Sequence, residues 1–97
     1  MRPIHILIAD DNDDFRINLH DALSPYYIVR CCQTGKEIMA QINALKPDIL
    51  VMDLLLRELD GISALNQISQ LPQPPAILVV TTFISDYVEQ VLSEMGI

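Results

Sequence analysis

The chain has 97 residues, 51% of them hydrophobic, and carries a formal net charge of -7 at pH 7. This size and apolar content predict one domain with a single hydrophobic core. The acidic balance argues against direct binding of nucleic acid, because Lys and Arg are what bind a phosphate backbone. No apolar stretch approaches the roughly 20 residues of a membrane-spanning helix, and no secretory signal pattern is present, so we expect no membrane association.

Cys31 and Cys32 are neighbours in the chain. A disulfide between adjacent cysteines is strained and rare, so we expect two reduced thiols. Reduced thiols are typical of cytoplasmic proteins, and the sequence therefore predicts a cytoplasmic location.

The first half of the chain alternates apolar runs with helical periodicity. Ser24-Pro25 ends the first helical pattern, because the residue before a proline avoids helical geometry. Thr34 and Glu37 resemble a capping box, which opens a second helix. In chain order we predict a strand at 4–9, a helix from a cap at Asn12 or Asp13 to about Leu23, a strand at 26–32 and a helix from Gly35 to Leu45.

The second half repeats this alternation. Its first strand shows no polar alternation, which indicates burial on both faces. In chain order we predict a strand at 48–53, a helix from Gly61 to about Leu71, a strand at 76–81 and a helix from a cap at Ser85 or Asp86 to about Met95. Right-handed crossovers between such strands predict an α/β fold, a doubly wound parallel sheet with helices on both faces.

Polar side chains follow three of the predicted strands. Asp10 and Asp11 follow the first, Asp53 follows the third, and Thr81 ends the fourth. The carboxyl ends of parallel strands meet at one edge of a sheet, so these side chains should converge. Close carboxylates repel one another unless a hard cation lies between them, which predicts Mg²⁺. The pattern indicates a phosphoryl-transfer site in which Asp53 can be the acceptor.

Simpler interpretations exist for the same residues. Asp10 and Asp11 could be a charge pair that favours the N-terminus of a helix, and Asp53 could be a solvated loop residue. Thr81 could be an ordinary strand residue.

In their order and spacing, these residues resemble the receiver domain of two-component response regulators. The matching marks are Asp10-Asp11, Asp53, Asp60-Gly61 and Thr81. The stretches 9–12 and 34–37 are also similar to the receiver of the sporulation master regulators of Firmicutes. The resemblance implies a flavodoxin-like sheet of strand order 2-1-3-4 over residues 1–97, with the family's fifth strand and helix lacking at the C-terminus.

The resemblance also implies a role for each matched residue. Asp53 would accept a phosphoryl group from a histidine kinase or phosphotransfer protein, and Thr81 would donate its hydroxyl to that group. Asp11 and Asp53 would bind Mg²⁺ directly, Asp10 partly through water, and the carbonyl of Leu55 would supply a further oxygen. Such a domain is a signalling module rather than an enzyme, and many relatives continue into a DNA-binding domain that regulates transcription.

The sequence departs from the family pattern in three places. Arg57 stands where the family usually has proline, and Thr82 where a small residue is usual. The chain ends at Ile97, before the family's aromatic switch residue and its phosphoryl-binding lysine. We therefore expect weak phosphorylation of this chain, and an exposed edge on strand four that could pair with a second copy.

Two other functions are open at this stage. A degenerate receiver could bind partners without being phosphorylated, because the lysine is absent. A haloacid-dehalogenase-type phosphatase also has Asp-x-Asp after its first strand, which Asp11-Asn12-Asp13 can mimic, but that family is far longer and has no mid-chain acceptor such as Asp53.

Overall fold

The computed structural model describes residues 2–54, 61–80 and 86–97. Within these ranges the strands are β1 (His5–Ala9), β2 (Ile28–Cys32), β3 (Ile49–Met52) and β4 (Ala76–Val79). The helices are α1 (Asp13–Leu23), α2 (Gly35–Leu45), α3 (Gly61–Ser69) and α4 (Asp86–Glu94). All strand pairs are parallel and the sheet order is β2-β1-β3-β4, which confirms the predicted doubly wound fold and its 2-1-3-4 order.

Both faces of the sheet are covered, which explains why β1 and β3 lack polar alternation. On one face, alternate residues of β1 and β3 pack with α2, α3 and α4. On the other face, the remaining alternate residues pack against Leu19 and Leu23 of α1. The first face contributes Leu7, Ala9, Leu50 and Met52, and the second contributes Ile6, Ile8 and Val51. The central strands therefore form the floor on which residues at their carboxyl ends are held.

The second strand begins later than its β-forming sequence predicts. The backbone N–H groups of Tyr26 and Tyr27 both donate to the carbonyl of Leu23, at 3.0 Å. These bonds prolong the turn after α1, so β2 starts at Ile28 and the prediction of a strand from residue 26 is wrong by two residues.

The helix caps agree with the sequence in position but not always in bonding. The side chain of Asn12 caps α1 by accepting from the N–H of Phe15 at 2.9 Å, as predicted. Thr34 precedes α2, but its hydroxyl donates to the carboxylate of Glu37 at 3.0 Å instead of accepting a backbone N–H. The predicted capping box is therefore wrong in its bonds, because the two side chains satisfy each other.

The fourth strand forms one edge of the sheet. The N–H of Ala76 donates to the carbonyl of Asp48, just before β3, and the N–H of Val80 donates to Met52 of β3. The N–H and carbonyl groups of Ile77 and Val79 therefore point to the outer side. Leu78 is 56% exposed. No further strand lies beside β4 within the described ranges, and its outer edge is apolar.

Two smaller sequence predictions concern chemistry and membranes. Cys31 and Cys32 are free thiols, and burial above all raises the pKa of Cys32 to about 12, so this thiol is protonated and unreactive at neutral pH. None of the helices in the described ranges has the length and apolar character that crossing a membrane requires.

Candidate functional site

The hydrogen-bond ladder of the sheet continues one residue beyond β1 and β3, into the acidic positions. The N–H of Asp10 donates to the carbonyl of Cys32 at 3.2 Å, and the N–H of Asp53 donates to the carbonyl of Ala9 at 3.1 Å. The backbones of Asp10 and Asp53 are therefore held by neighbouring strands. The sequence of each strand, apolar until its last residue and acidic immediately afterwards, brings these carboxylates to one edge.

Asp10, Asp11 and Asp53 form a cluster in which one carboxylate oxygen of each lies within 4.8 Å of the others. Asp10 is buried, while Asp11 and Asp53 are partly exposed. The structure thus brings together three of the five residues to which the resemblance gives a role in the site. The other two, Leu55 and Thr81, lie outside the described residues.

The charges of this cluster act on one another. Burial is the largest effect that raises the pKa of Asp10, and the negative charges of Asp53 and Asp11 raise it further. The backbone N–H of Asn12, which donates to Asp10 Oδ1 at 2.8 Å, opposes this shift, as does the charge of Arg16. The carboxylates are close enough to repel, so a cation between them would relieve a real electrostatic cost.

The donor set fits a small hard cation. Mg²⁺ binds oxygen at about 2.1 Å, so ligands on opposite sides of the ion are about 4 Å apart. Neighbouring ligands of an octahedral Mg²⁺ are about 3 Å apart, so the three carboxylate oxygens, which lie within 4.8 Å of one another, would draw together around the ion. A cluster of three carboxylates, two of them partly exposed, also leaves room for the waters that Mg²⁺ retains.

Arg16 is a contributor that the sequence did not reveal. Its guanidinium is buried, and it donates from Nη1 to the carbonyl of Asp10 at 3.0 Å and from Nη2 to Asp13 Oδ1 at 2.6 Å. The spacing of Asp13 and Arg16 predicts a surface ion pair on a helix. It carries no signal of the bond to Asp10, because that bond reaches back across the loop before α1.

Gly61 also bears on the site through its lack of a side chain. A Cβ at this position would lie 2.5 Å from the carbonyl oxygen and 3.0 Å from the Cα of Leu54. The start of α3 therefore packs directly on the backbone of the residue after Asp53. The sequence marks Gly61 as part of a pattern, but only the fold shows which contact requires glycine.

Asp13, the second acid of the phosphatase-like Asp-x-Asp pattern, does not join the acidic cluster. Its side chain is 74% exposed and is paired with Arg16. The arrangement gives the phosphatase interpretation no support.

A flavodoxin-like sheet with an acidic cluster at its carboxyl edge is the arrangement expected of a receiver domain. Residues 6–97 match the model of the response regulator receiver domain. A curated relative, the response regulator protein VraR of Staphylococcus aureus, is 38% identical over 87 residues. That match covers 86% of this chain and 41% of VraR, so the chain spans less than half the length of this relative.

Solved structures of receiver domains share the fold. The signal receiver domain of a putative LuxO repressor from Vibrio parahaemolyticus superposes with a TM-score of 0.87 at 24% identity, covering 99% of this chain and 74% of that one. The BeF3-activated receiver domain of Klebsiella pneumoniae RstA gives a TM-score of 0.84 at 24% identity, covering 95% and 79%.

The chain therefore belongs to the response regulator receiver domain family. Domains of this family are signalling modules of two-component systems that bind Mg²⁺ at an acidic pocket. The alternatives of a degenerate receiver and of a phosphatase are not favoured. The narrower resemblance to a sporulation regulator stays a prediction.

Proposed function

We propose that this domain relays a two-component signal by accepting a phosphoryl group on Asp53. The observation that carries the proposal is the cluster of Asp10, Asp11 and Asp53 at the carboxyl edge of the sheet, with carboxylate oxygens within 4.8 Å of one another. Asp53 is partly exposed and follows a central strand, so its backbone is held by the sheet while its side chain remains accessible. In this proposal each domain is phosphorylated once on Asp53 and does not turn over a substrate repeatedly.

In the transfer, a carboxylate oxygen of Asp53 forms a bond to phosphorus as the bond from phosphorus to the donor's histidine nitrogen breaks. Such a transition state is loose, so positioning and charge neutralisation supply most of the acceleration. Mg²⁺, held by Asp10, Asp11, Asp53 and the carbonyl of Leu55, would neutralise charge on the phosphoryl oxygens. Thr81 would donate its hydroxyl to one of those oxygens and so report the modification.

The partners follow from this role. The phosphoryl donor is a histidine kinase or a phosphotransfer protein, in keeping with the response regulators that the chain resembles. The net charge of -7 disfavours direct contact of this domain with nucleic acid. The protein acts in the cytoplasm, where Cys31 and Cys32 remain reduced.

A second copy of the chain is the partner that we propose for the outer edge of β4. The outward backbone groups of Ile77 and Val79 can pair with those of the same strand in another copy, related by a two-fold axis. The strand Ala76–Val79 carries no charged residue, and Leu78 is 56% exposed, so pairing would also bury apolar surface.

The test of phosphorylation is labelling with acetyl phosphate in the presence and absence of Mg²⁺, read by intact mass. We expect the mass of one phosphoryl group to be added only with Mg²⁺, to the small fraction of molecules that the weak phosphorylation expected from the sequence allows, and no addition in Asp53→Asn or Asp11→Asn. Asp14→Asn is the matched control, because Asp14 is an exposed acid of the first turn of α1 and lies outside the cluster. Full labelling of the Asp53→Asn protein would show that the acceptor is another residue.

A further inference from the structure

A buried arginine lies beneath the acidic cluster. Among the described residues, Asp10 and Arg16 are the polar or charged residues that are buried, and they are bonded to each other. The side chain of Arg16 is only 10% exposed although it lies in the second turn of a surface helix. A charged group is expensive to bury, so its contacts are expected to matter to the fold or to the site.

The contacts of Arg16 hold the backbone that carries the acidic ligands. The carbonyl of Asp10 accepts from Arg16 Nη1 at 3.0 Å, while the N–H of Asp10 donates to β2. On the other side of Asp11, the N–H of Asn12 donates to Asp10 Oδ1 at 2.8 Å, and the carbonyl of Asn12 accepts from the N–H of Arg16 at 3.0 Å. The bond to Asn12 is the first backbone bond of α1 and would form with any residue at position 16 except proline. The bond that depends on the Arg16 side chain is the one to the Asp10 carbonyl, immediately before Asp11.

The charge of Arg16 is compensated locally. Arg16 Nη2 bonds to Asp13 Oδ1 at 2.6 Å, and Asp13 lies outside the acidic cluster. A bare positive charge near a cation site would weaken binding of the cation by Coulomb repulsion. Because Asp13 offsets that charge, the geometric effect of the guanidinium fork on the loop should outweigh its electrostatic effect on the ion.

We propose that Arg16 is a positioning residue for Mg²⁺, whose guanidinium holds the Asp10 carbonyl so that the three carboxylates can close around a small ion. This inference rests on the proposed metal site of the preceding section. Arg16 itself does not touch the ion. Removing such an outer contact of a metal ligand typically weakens affinity by about 10- to 100-fold.

Ion size separates this role from a purely structural one. Mg²⁺ requires near-ideal octahedral geometry at about 2.1 Å, whereas Ca²⁺ accepts irregular geometry at about 2.3 to 2.6 Å. A loosened loop should therefore lose Mg²⁺ affinity much more than Ca²⁺ affinity. A variant that is merely less stable would lose apparent affinity for both ions in the same proportion.

The experiment is calorimetric titration of the 97-residue chain with Mg²⁺ and separately with Ca²⁺, well below the melting temperature of each variant. For Arg16→Gln we expect Mg²⁺ affinity to fall about tenfold and Ca²⁺ affinity by less than about threefold. Arg30→Gln is the control for the change in net charge, since Arg30 is exposed on β2, and we expect its effect to stay within about twofold.

Each outcome bears on a different claim. Unchanged or increased Mg²⁺ affinity in Arg16→Gln, with normal binding by the parent chain, would overturn the role of Arg16 alone. Equal losses for both ions would assign Arg16 to stability and overturn its positioning role. Absence of Mg²⁺ binding in the parent chain would overturn the metal site, and the inference with it.

Arg16→Lys keeps the test decisive if the glutamine variant does not fold. Lysine retains the charge but replaces the guanidinium fork by one ammonium, which cannot hold the Asp10 carbonyl and the Asp13 carboxylate in the same way. We expect the ratio of Mg²⁺ to Ca²⁺ affinity in Arg16→Lys to fall below that of the parent chain. A ratio equal to that of the parent would overturn the proposal.

Discussion

Replacing Gly61 by alanine should damage the acceptor site from a distance. The added Cβ would lie 2.5 Å from the carbonyl oxygen of Leu54, whereas ordinary contacts between such atoms are about 3.5 Å. The shortfall of about 1 Å must be relieved by moving α3 or the backbone of Leu54. The obstacle is backbone on both sides, so no side chain can rotate away.

The size of the effect can be bounded. Forcing extra volume into a packed site costs about 1 to 3 kcal/mol of stability. Leu54 is bonded directly to Asp53, so part of the shift will be passed to the acceptor, and a misplacement of about 1 Å can cost about 10²-fold in rate. We therefore expect Gly61→Ala to be less stable in urea and to be labelled by acetyl phosphate about tenfold more slowly, because the bond from the Asp53 N–H to Ala9 lets only roughly half of that shift reach Asp53.

Gly96→Ala is the matched control. Gly96 has φ of +81°, so alanine there is strained, but its Cβ would meet no atom within 4 Å. This variant should lose stability without losing labelling rate, because Gly96 lies after α4 and outside the acidic cluster. Normal labelling kinetics in Gly61→Ala would refute the argument that α3 positions the acceptor through Leu54.

Two further predictions concern pH and association. The hydrogen bond from Arg2, and after it the bond from the His5 N–H, lowers the pKa of Asp48. The ionised Asp48 therefore stabilises the fold above its unfolded pKa of about 3.9, and this stabilisation is lost as the pH falls through the folded pKa. Asp48→Asn should therefore lower the urea midpoint at pH 7 and match the parent protein at strongly acidic pH, whereas a constant difference at all pH values would contradict this assignment. We expect the parent chain to associate in sedimentation experiments at micromolar concentration and Leu78→Lys to be a monomer, because a charged edge strand resists pairing. A parent chain that sediments as a monomer would contradict the proposed pairing.

The fold and the acidic cluster follow from local patterns that survive folding. Apolar runs predicted β1 and β3, and the position of an acid after each run was sufficient to predict that Asp10 and Asp53 meet. The start of β2 was predicted too early because Tyr26 has high strand propensity, while its N–H is used by the turn after α1. Propensity describes a residue alone, and the competing hydrogen bond belongs to its neighbours.

The contributions of Arg16 and Gly61 could not be predicted for a different reason. Each acts through the backbone of another residue. Arg16 bonds to the carbonyl of Asp10, and Gly61 packs against the carbonyl of Leu54. Backbone groups are the same at every position, so the sequence contains no letter that marks them as partners. Such contacts become visible only when the path of the chain is known.

The hydrogen bonds that extend the sheet to Asp10 and Asp53 also determine which parts of the domain can move. The N–H of Asp53 donates to the carbonyl of Ala9, and that of Asp10 donates to the carbonyl of Cys32, so the backbones of both acids are bonded to neighbouring strands. In the proposed function, phosphorylation would add charge to a side chain whose backbone is bonded into the sheet, so movement of Asp53 itself would be restricted. Larger movements would therefore occur in groups near Asp53 that are not part of the hydrogen-bond ladder of the sheet. When the modified residue is restrained, the neighbouring groups move instead, and their movement can change a surface far from the modification.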